Sequence, residues 1–263
     1  MKLFASVGKA WVGGLYAFHD SLAVLGETVS EAVAMPFHPR RFRMGDFLLA
    51  FQRASFDGLA LSCGVGFLLG LILAFQSASA LSMFGVESYV ANLLAIGLFR
   101  ELGPVVAGIL LAGRSGSAYA AEIGTMKVDE ELDALTTMGL PPVRFLVVPR
   151  ILAAMFAMPA LTIFVELAGL LGGALVLRMM GIPGAAYWGG VASTADVFMI
   201  VFGLAKSAFF GLLVGLAGCC SGMRTKSTAD GVGVAATSAV VGGIVAIVVA
   251  DGVIAVICHF WGV

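Results

Sequence analysis

A chain of 263 residues, 60% hydrophobic and 12% charged, with a mean hydropathy of +1.04, has too little polar surface to cover a soluble core. Lipid is therefore its solvent. The net charge of −1 gives no basis for a nucleic-acid partner.

The first 35 residues contain Asp20, Glu27 and Glu31 and no short apolar block ending in a small-residue cleavage site, so no cleavable signal is expected. Phe4, Val7, Trp11, Leu15, Phe18, Leu22, Leu25, Val29 and Val33 recur at three- and four-residue steps. That spacing predicts an amphipathic helix over residues 4–35, lying in the membrane interface. Pro36 and Pro39 end it, and Arg40, Arg41 and Arg43 follow as a basic anchor.

Five apolar segments come next, at about 56–83, 90–118, 145–177, 197–221 and 233–260. Each exceeds the roughly 20 helical residues that cross a hydrocarbon core of about 30 Å. Separate segments can do this only as helices, because each must satisfy its own backbone polar groups. The fold class is thus an all-α membrane protein with an interfacial helix and five spans. Eleven lysines and arginines, from Lys2 to Lys226, fall on one side of these spans, and Arg178 alone falls on the other. The asymmetry predicts a cytoplasmic N-terminus and a periplasmic C-terminus.

Small residues recur every four positions in the first span (Gly58, Ser62, Gly66, Gly70, Ala74, Ala78) and in the fourth (Gly203, Ser207, Gly211, Gly215). Such ridges let helix backbones approach closely, within one subunit or across a dimer seam. Cys63, Cys219, Cys220 and Cys258 lie in apolar runs without a Cys-x-x-Cys spacing, and read as small hydrophobes in helices.

The connection between the second and third spans holds a short acidic helix over 128–138. Val128, Leu132, Leu135 and Met138 share one face, and Asp129, Glu130, Glu131 and Asp133 crowd the remainder. Gly139, Pro141 and Pro142 stop it. Two readings fit: a solvated loop helix resting on the bilayer, or a docking element for a soluble protein that pushes on the spans. Its acidity favours a protein over anionic lipid.

Ionisable groups at mid-span are costly and need a reason. Arg100, Glu101, Glu166, Lys206 and Asp251 all fall roughly 15 Å from the outer surface, counted at 1.5 Å per residue. Two positive and three negative charges nearly neutralise one another. Such a layer is either a structural network or the floor of an outward-facing cavity that rearranges during transport. Arg114 and Glu122, on the inner half of the second span, are expected to pair with neighbouring helices or headgroups rather than with each other.

Several ordered motifs carry a family resemblance: Phe99-Arg-Glu-Leu-Gly-Pro-Val-Val106, Ala112-Gly-Arg-Ser-Gly-Ser-Ala118, Ala121-Glu-Ile-Gly-Thr-Met-Lys-Val128, Glu131-Leu-Asp-Ala-Leu135, Met138-Gly139 and Val148-Pro-Arg150. With them the chain resembles the MlaE family, permeases of bacterial Mce-type ABC lipid transporters, over essentially its whole length. The resemblance implies one permease domain over 1–263, working as a homodimer in the bacterial inner membrane. A cytoplasmic ABC ATPase would dock through Asp129, Glu130, Glu131, Leu132, Asp133, Leu135 and Met138, and a periplasmic Mce-domain protein would cap the other side. Phospholipid would be the cargo, with Leu73, Leu81 and Phe84 lining the acyl-chain cavity. Arg100, Glu101, Lys206 and Asp251 match polar positions of such permeases, whereas Glu166 has no counterpart in the motifs. No cofactor is expected on this chain. ATP and Mg would sit on the partner, consistent with the lack of a Gly-x-x-x-x-Gly-Lys-[Ser/Thr] motif here.

Two other classes compete. A proton-coupled secondary transporter would use Glu101, Glu166 and Asp251, although no inverted repeat of spans is apparent. An intramembrane enzyme fits poorly, because His19, His38 and His259 fall at span ends or in the interface, with no nucleophile–base constellation.

Overall fold

A computed structural model describes residues 22–26, 28, 30 and 43–261. Among these, the chain meets the demand for internally satisfied backbone with helices alone. In order they are α1 (Met44–Ser82), α2 (Val90–Val128), α3 (Glu131–Thr137), α4 (Val143–Met179), α5 (Gly184–Thr194), α6 (Val197–Met223) and α7 (Ala229–Trp261). Five of them (α1, α2, α4, α6 and α7) are long and apolar enough to cross a membrane. The expected interfacial helix 4–35 lies mostly outside the described residues. Those described within it (22–26, 28 and 30) are helical, with Val24 and Thr28 buried.

The spans run past the expected limits at their basic ends, because polar residues there have partners. α1 begins at Met44 rather than near 56, with Asp46 in its first turn paired to Arg43 at 2.8 Å. α2 continues to Val128, and Lys127 Nζ donates to the Met223 carbonyl at 2.6 Å. Hydropathy finds only the lipid-immersed part of such helices.

The acidic helix expected over 128–138 is shorter. Val128 still belongs to α2, Asp129 caps that helix, and Glu130 turns the chain with a left-handed φ of 59°. α3 then runs over Glu131–Thr137. Its end is a Schellman turn, with Gly139 at φ +75°, the Gly139 N–H on the Thr136 carbonyl at 3.0 Å and the Leu140 N–H on the Leu135 carbonyl at 3.0 Å.

Not anticipated was α5, on the side opposite α3. Pro183 precedes its first turn, and buried Tyr187 donates its hydroxyl to the Leu170 carbonyl at 2.7 Å, tying α5 to α4. Asn92 Nδ2, in turn, donates to Thr194 Oγ1 at 2.6 Å.

Both small-residue ridges are spent inside the chain. Gly58, Ser62, Gly66, Gly70, Ala74 and Ala78 are all buried. A Cβ at Gly66 would overlap the Val165 carbonyl of α4, and one at Gly70 would overlap that of Gly169. On α6, Gly203, Ser207, Gly211 and Gly215 are buried as well, and a Gly211 Cβ would lie 2.5 Å from the Ala154 carbonyl. α7 buries Ala235, Ala239, Ile247 and Cys258 and leaves Val241, Val245, Val249 and Val253 exposed.

Two apolar clusters stack along the bundle. The inner one, towards the arginine-rich end, includes Ala107, Leu111, Ile151, Met158, Phe210 and Ile247. The outer one includes Ala74, Leu94, Leu98, Phe99, Leu170 and Tyr187. Arg100 and Glu101 of the first motif fall where the two meet.

Candidate functional site

α2 is not a uniform helix. Gly97–Leu102 and Ala112–Gly116 are wide π-helical turns, and they coincide with the Phe-Arg-Glu-Leu-Gly and Ala-Gly-Arg-Ser-Gly motifs. Such turns recur at functional sites, because they free backbone groups and re-aim side chains. In the first, the Gly103 N–H reaches back to the Leu98 carbonyl. Pro104 has no N–H to offer the Arg100 carbonyl four residues earlier. That carbonyl accepts a hydrogen bond from Lys206 Nζ of α6 at 3.3 Å.

The absence of a side chain at Gly203 brings α6 against the same turn, since a Cβ there would overlap the Phe99 carbonyl. One turn further along α6, Lys206 enters the interior with its side chain 1% exposed. Its ammonium donates to the Arg100 carbonyl and to a Glu101 carboxylate oxygen, and forms an ion pair with Asp251 Oδ1 of α7 at 2.5 Å. Arg100 Nε lies 3.6 Å from the other Glu101 oxygen. Arg100 and Lys206 balance Glu101 and Asp251, so the quartet is formally neutral. Of the four, only Lys206 is buried, and its buried charge is paired with carboxylates that are themselves partly exposed.

The five-charge layer expected from depth is thus a quartet with Glu166 apart from it. Glu166 is buried, but makes no ion pair among the described residues. It lies against Gly103, where a Cβ would be 2.9 Å from its Oε1. Shared depth did not mean a shared face.

A second polar layer lies towards the arginine-rich end. Arg114 pairs with Asp57 of α1 at 3.0 Å. Glu122 accepts from Arg150 Nη2 of α4 at 3.1 Å and from Arg53 Nη1 of α1 at 3.4 Å. Arg114 and Glu122 therefore do pair with neighbouring helices, as expected. The sequence reading missed their partner Asp57 and the cross-helix pairing of Arg53 and Arg150; an acid on α1 at the depth of Arg114 was the available signal.

On α3, Leu132 is buried and Leu135 half-buried, and these two anchor the helix. Glu131, Asp133 and Met138 are exposed, as are Asp129 and Glu130 in the turn before it. At the opposite end, Leu73 and Leu81 lean on the outer cluster, and Phe84 is 78% exposed just beyond α1.

Known proteins carry the same pattern. Residues 47–257 match the family model of the permease MlaE. A probable ABC transporter permease protein of Rickettsia typhi is 38% identical over 197 residues, covering 74% of this chain and 76% of its own. The intermembrane phospholipid transport system permease protein MlaE of Haemophilus influenzae is 35% identical over 178 residues, 67% of this chain and 68% of its own. The chloroplastic protein TRIGALACTOSYLDIACYLGLYCEROL 1 of Arabidopsis thaliana is 35% identical over 187 residues, 71% of this chain and 53% of its own. With the first motif turn of α2 contributing Arg100 and Glu101 to a neutral charge quartet, and with a match spanning all five membrane helices, the chain belongs to the MlaE permease family and is a multi-pass membrane permease of an ABC system.

Proposed function

We propose that this chain is the transmembrane subunit of an ABC transporter that moves phospholipid, driven by ATP hydrolysis on a separate cytoplasmic subunit. α3 carries the reading. It is a short helix fastened to the bundle by Leu132, with Glu131, Asp133 and Met138 turned outwards. It also follows α2 after a tight turn at Asp129 and Glu130, and the first π turn of α2 carries Arg100 and Glu101 of the charge quartet. A push on α3 therefore has a path along α2 to Glu101 and, through the ion pair, to Lys206 of α6. Phospholipid as cargo draws on the relative from Haemophilus influenzae, whose name states it. A homodimer in the inner membrane with an Mce-domain protein on the far side is what the motif resemblance implies, and the lysine and arginine asymmetry puts the arginine-rich end in the cytoplasm.

Co-purification tests the coupling. A P-loop ATPase should accompany the wild-type protein, and reversing both charges in Glu131→Lys/Asp133→Lys should remove it while leaving the permease folded, because both side chains are exposed. Retention of the ATPase by the double variant would sink the docking role of α3. Proton-coupled transport by the chain purified alone would instead favour the secondary-transporter reading.

The quartet offers a second test. Asp251→Asn leaves Lys206 with Glu101 and the Arg100 carbonyl, so insertion should be normal. Lipid transfer in reconstituted vesicles should fall about tenfold or more, the size expected if a rearranging pair contributes about 1.4 kcal/mol. Unchanged transfer by a correctly inserted variant would make the quartet purely structural.

A further inference from the structure

A cavity of about 180 Å³ opens between α1, α2 and α4 at the arginine-rich end of the bundle. Arg53, Tyr119, Glu122 and Arg150 supply its polar wall, and Leu49 and Phe145 are among its apolar members. We infer that this cavity is a binding site for a phosphate group, supplied by the headgroup of a membrane lipid.

Tyr119 gives the first reason. It is only 6% exposed, yet its hydroxyl has no hydrogen-bond partner among the described residues. A buried O–H left without an acceptor is destabilising, so its presence in the cavity wall calls for an acceptor from outside the chain.

Charge and geometry give the second. Arg150 is anchored, with Nη1 on the Leu146 carbonyl at 2.9 Å and with Nε and Nη2 on Glu122 at 3.3 and 3.1 Å. Arg53 has a single, longer bond to Glu122 at 3.4 Å, and its side chain is 60% exposed. Most of its donor fork is thus available. The two arginines outweigh Glu122 by one positive charge, and Asp46 at the rim is answered by Arg43 at 2.8 Å. One phosphodiester would neutralise the site and accept from both Arg53 and Tyr119. Water would satisfy Tyr119 and leave the charge.

Position gives the third. The site lies in the first turns of α1 and α4, where a span leaves the hydrocarbon and lipid phosphates gather. Leu49 and Phe145 offer apolar surface to the glycerol and the first methylenes. Basic pockets between membrane helices take anionic headgroups for these same reasons. Binding here needs no ATPase and no transport cycle, so it stands or falls apart from the coupling reading.

The full chain, purified in detergent and stripped of lipid, is titrated with phosphatidylglycerol and followed by native mass spectrometry. Diacylglycerol with the same acyl chains and inorganic phosphate serve as parallel probes. Phosphatidylglycerol should be retained, and at least about 10-fold more weakly by Tyr119→Phe and by Arg53→Gln, the loss expected for one hydrogen bond to a charged group. Arg178→Gln, on the opposite end, should bind as the wild type does. Equal retention of diacylglycerol, or wild-type affinity in both cavity variants, overturns the inference. Binding of inorganic phosphate without retention of the lipid overturns the headgroup as its source. Thermal melting reports whether each variant is folded, and Arg53→Gln, at an exposed side chain, keeps the test available should Tyr119→Phe fail to fold.

Discussion

Lys206→Met should destabilise the protein by about 3 kcal/mol, the lower end of the cost of breaking a buried ion pair, and should abolish transport. The substitution nearly preserves side-chain length, so little of the loss comes from a cavity. What it removes is the single ammonium that holds Glu101 of α2, Asp251 of α7 and the Arg100 carbonyl together. Two carboxylates then face each other across an interior position, with only Arg100, 3.6 Å from Glu101, left to balance them. Because Glu101 and Asp251 are partly exposed, at 37% and 26%, water relieves some of the penalty, which sets the estimate at the lower end.

A double substitution separates charge from packing. Lys206→Met/Asp251→Asn has one carboxylate and one guanidinium left, and should recover at least about 1 kcal/mol of the loss, a coupling typical of residues in direct contact. Thermal unfolding of the three proteins in one detergent makes the comparison. Equal melting of Lys206→Met and the wild type would show that the quartet contributes nothing to the fold. A double variant no better than the single would place the loss in packing.

What the sequence made legible, and what it hid, follows from the kind of information each feature needs. The α1 ridge from Gly58 to Ala78 is a one-dimensional signal: small residues at four-residue steps occupy one helix face, and that face is buried. Depth is also one-dimensional, and it brought Arg100, Glu101, Lys206 and Asp251 to a common level. Azimuth is not. Glu166 shares their depth, but α4 sets it against Gly103, and Lys206 pairs with Glu101 and Asp251 instead. The start of α3 was hidden for a local reason, because Glu130 adopts a left-handed conformation that a glycine would have advertised. α5 was hidden by its composition, since a short run of glycine, alanine and serine after Pro183 reads as a loop until Tyr187 finds the Leu170 carbonyl. The free hydroxyl of Tyr119 depends on three helices at once, and no spacing in the sequence announces it.

The largest loss of all is expected from Gly70→Leu. At this position α1 and α4 meet backbone to backbone: an added Cβ would overlap the Gly169 carbonyl and lie 2.6 Å from its Cα. Overpacking a core usually costs about 1–3 kcal/mol because side chains shift to relieve it. Here no side chain stands between the helices, so relief requires the helices themselves to part. Parting them at Gly70 also strains Gly66 against Val165 and Gly172 against Phe67 on the same seam. Close approach is what small residues contribute to membrane helix association, where the apolar effect that drives soluble packing is absent. Gly64 provides the control, lying in the same span with nothing within 4 Å of its would-be Cβ. Gly64→Leu should therefore insert and melt as the wild type does, with leucine suited to the hydrocarbon. Gly70→Leu should give little monodisperse protein in detergent, and what is recovered should melt well below the wild type. Melting of Gly70→Leu alongside Gly64→Leu would mean that α1 and α4 are not held at this distance, and the placement of Glu166 against Gly103 would lose its support with them, because α4 sets both.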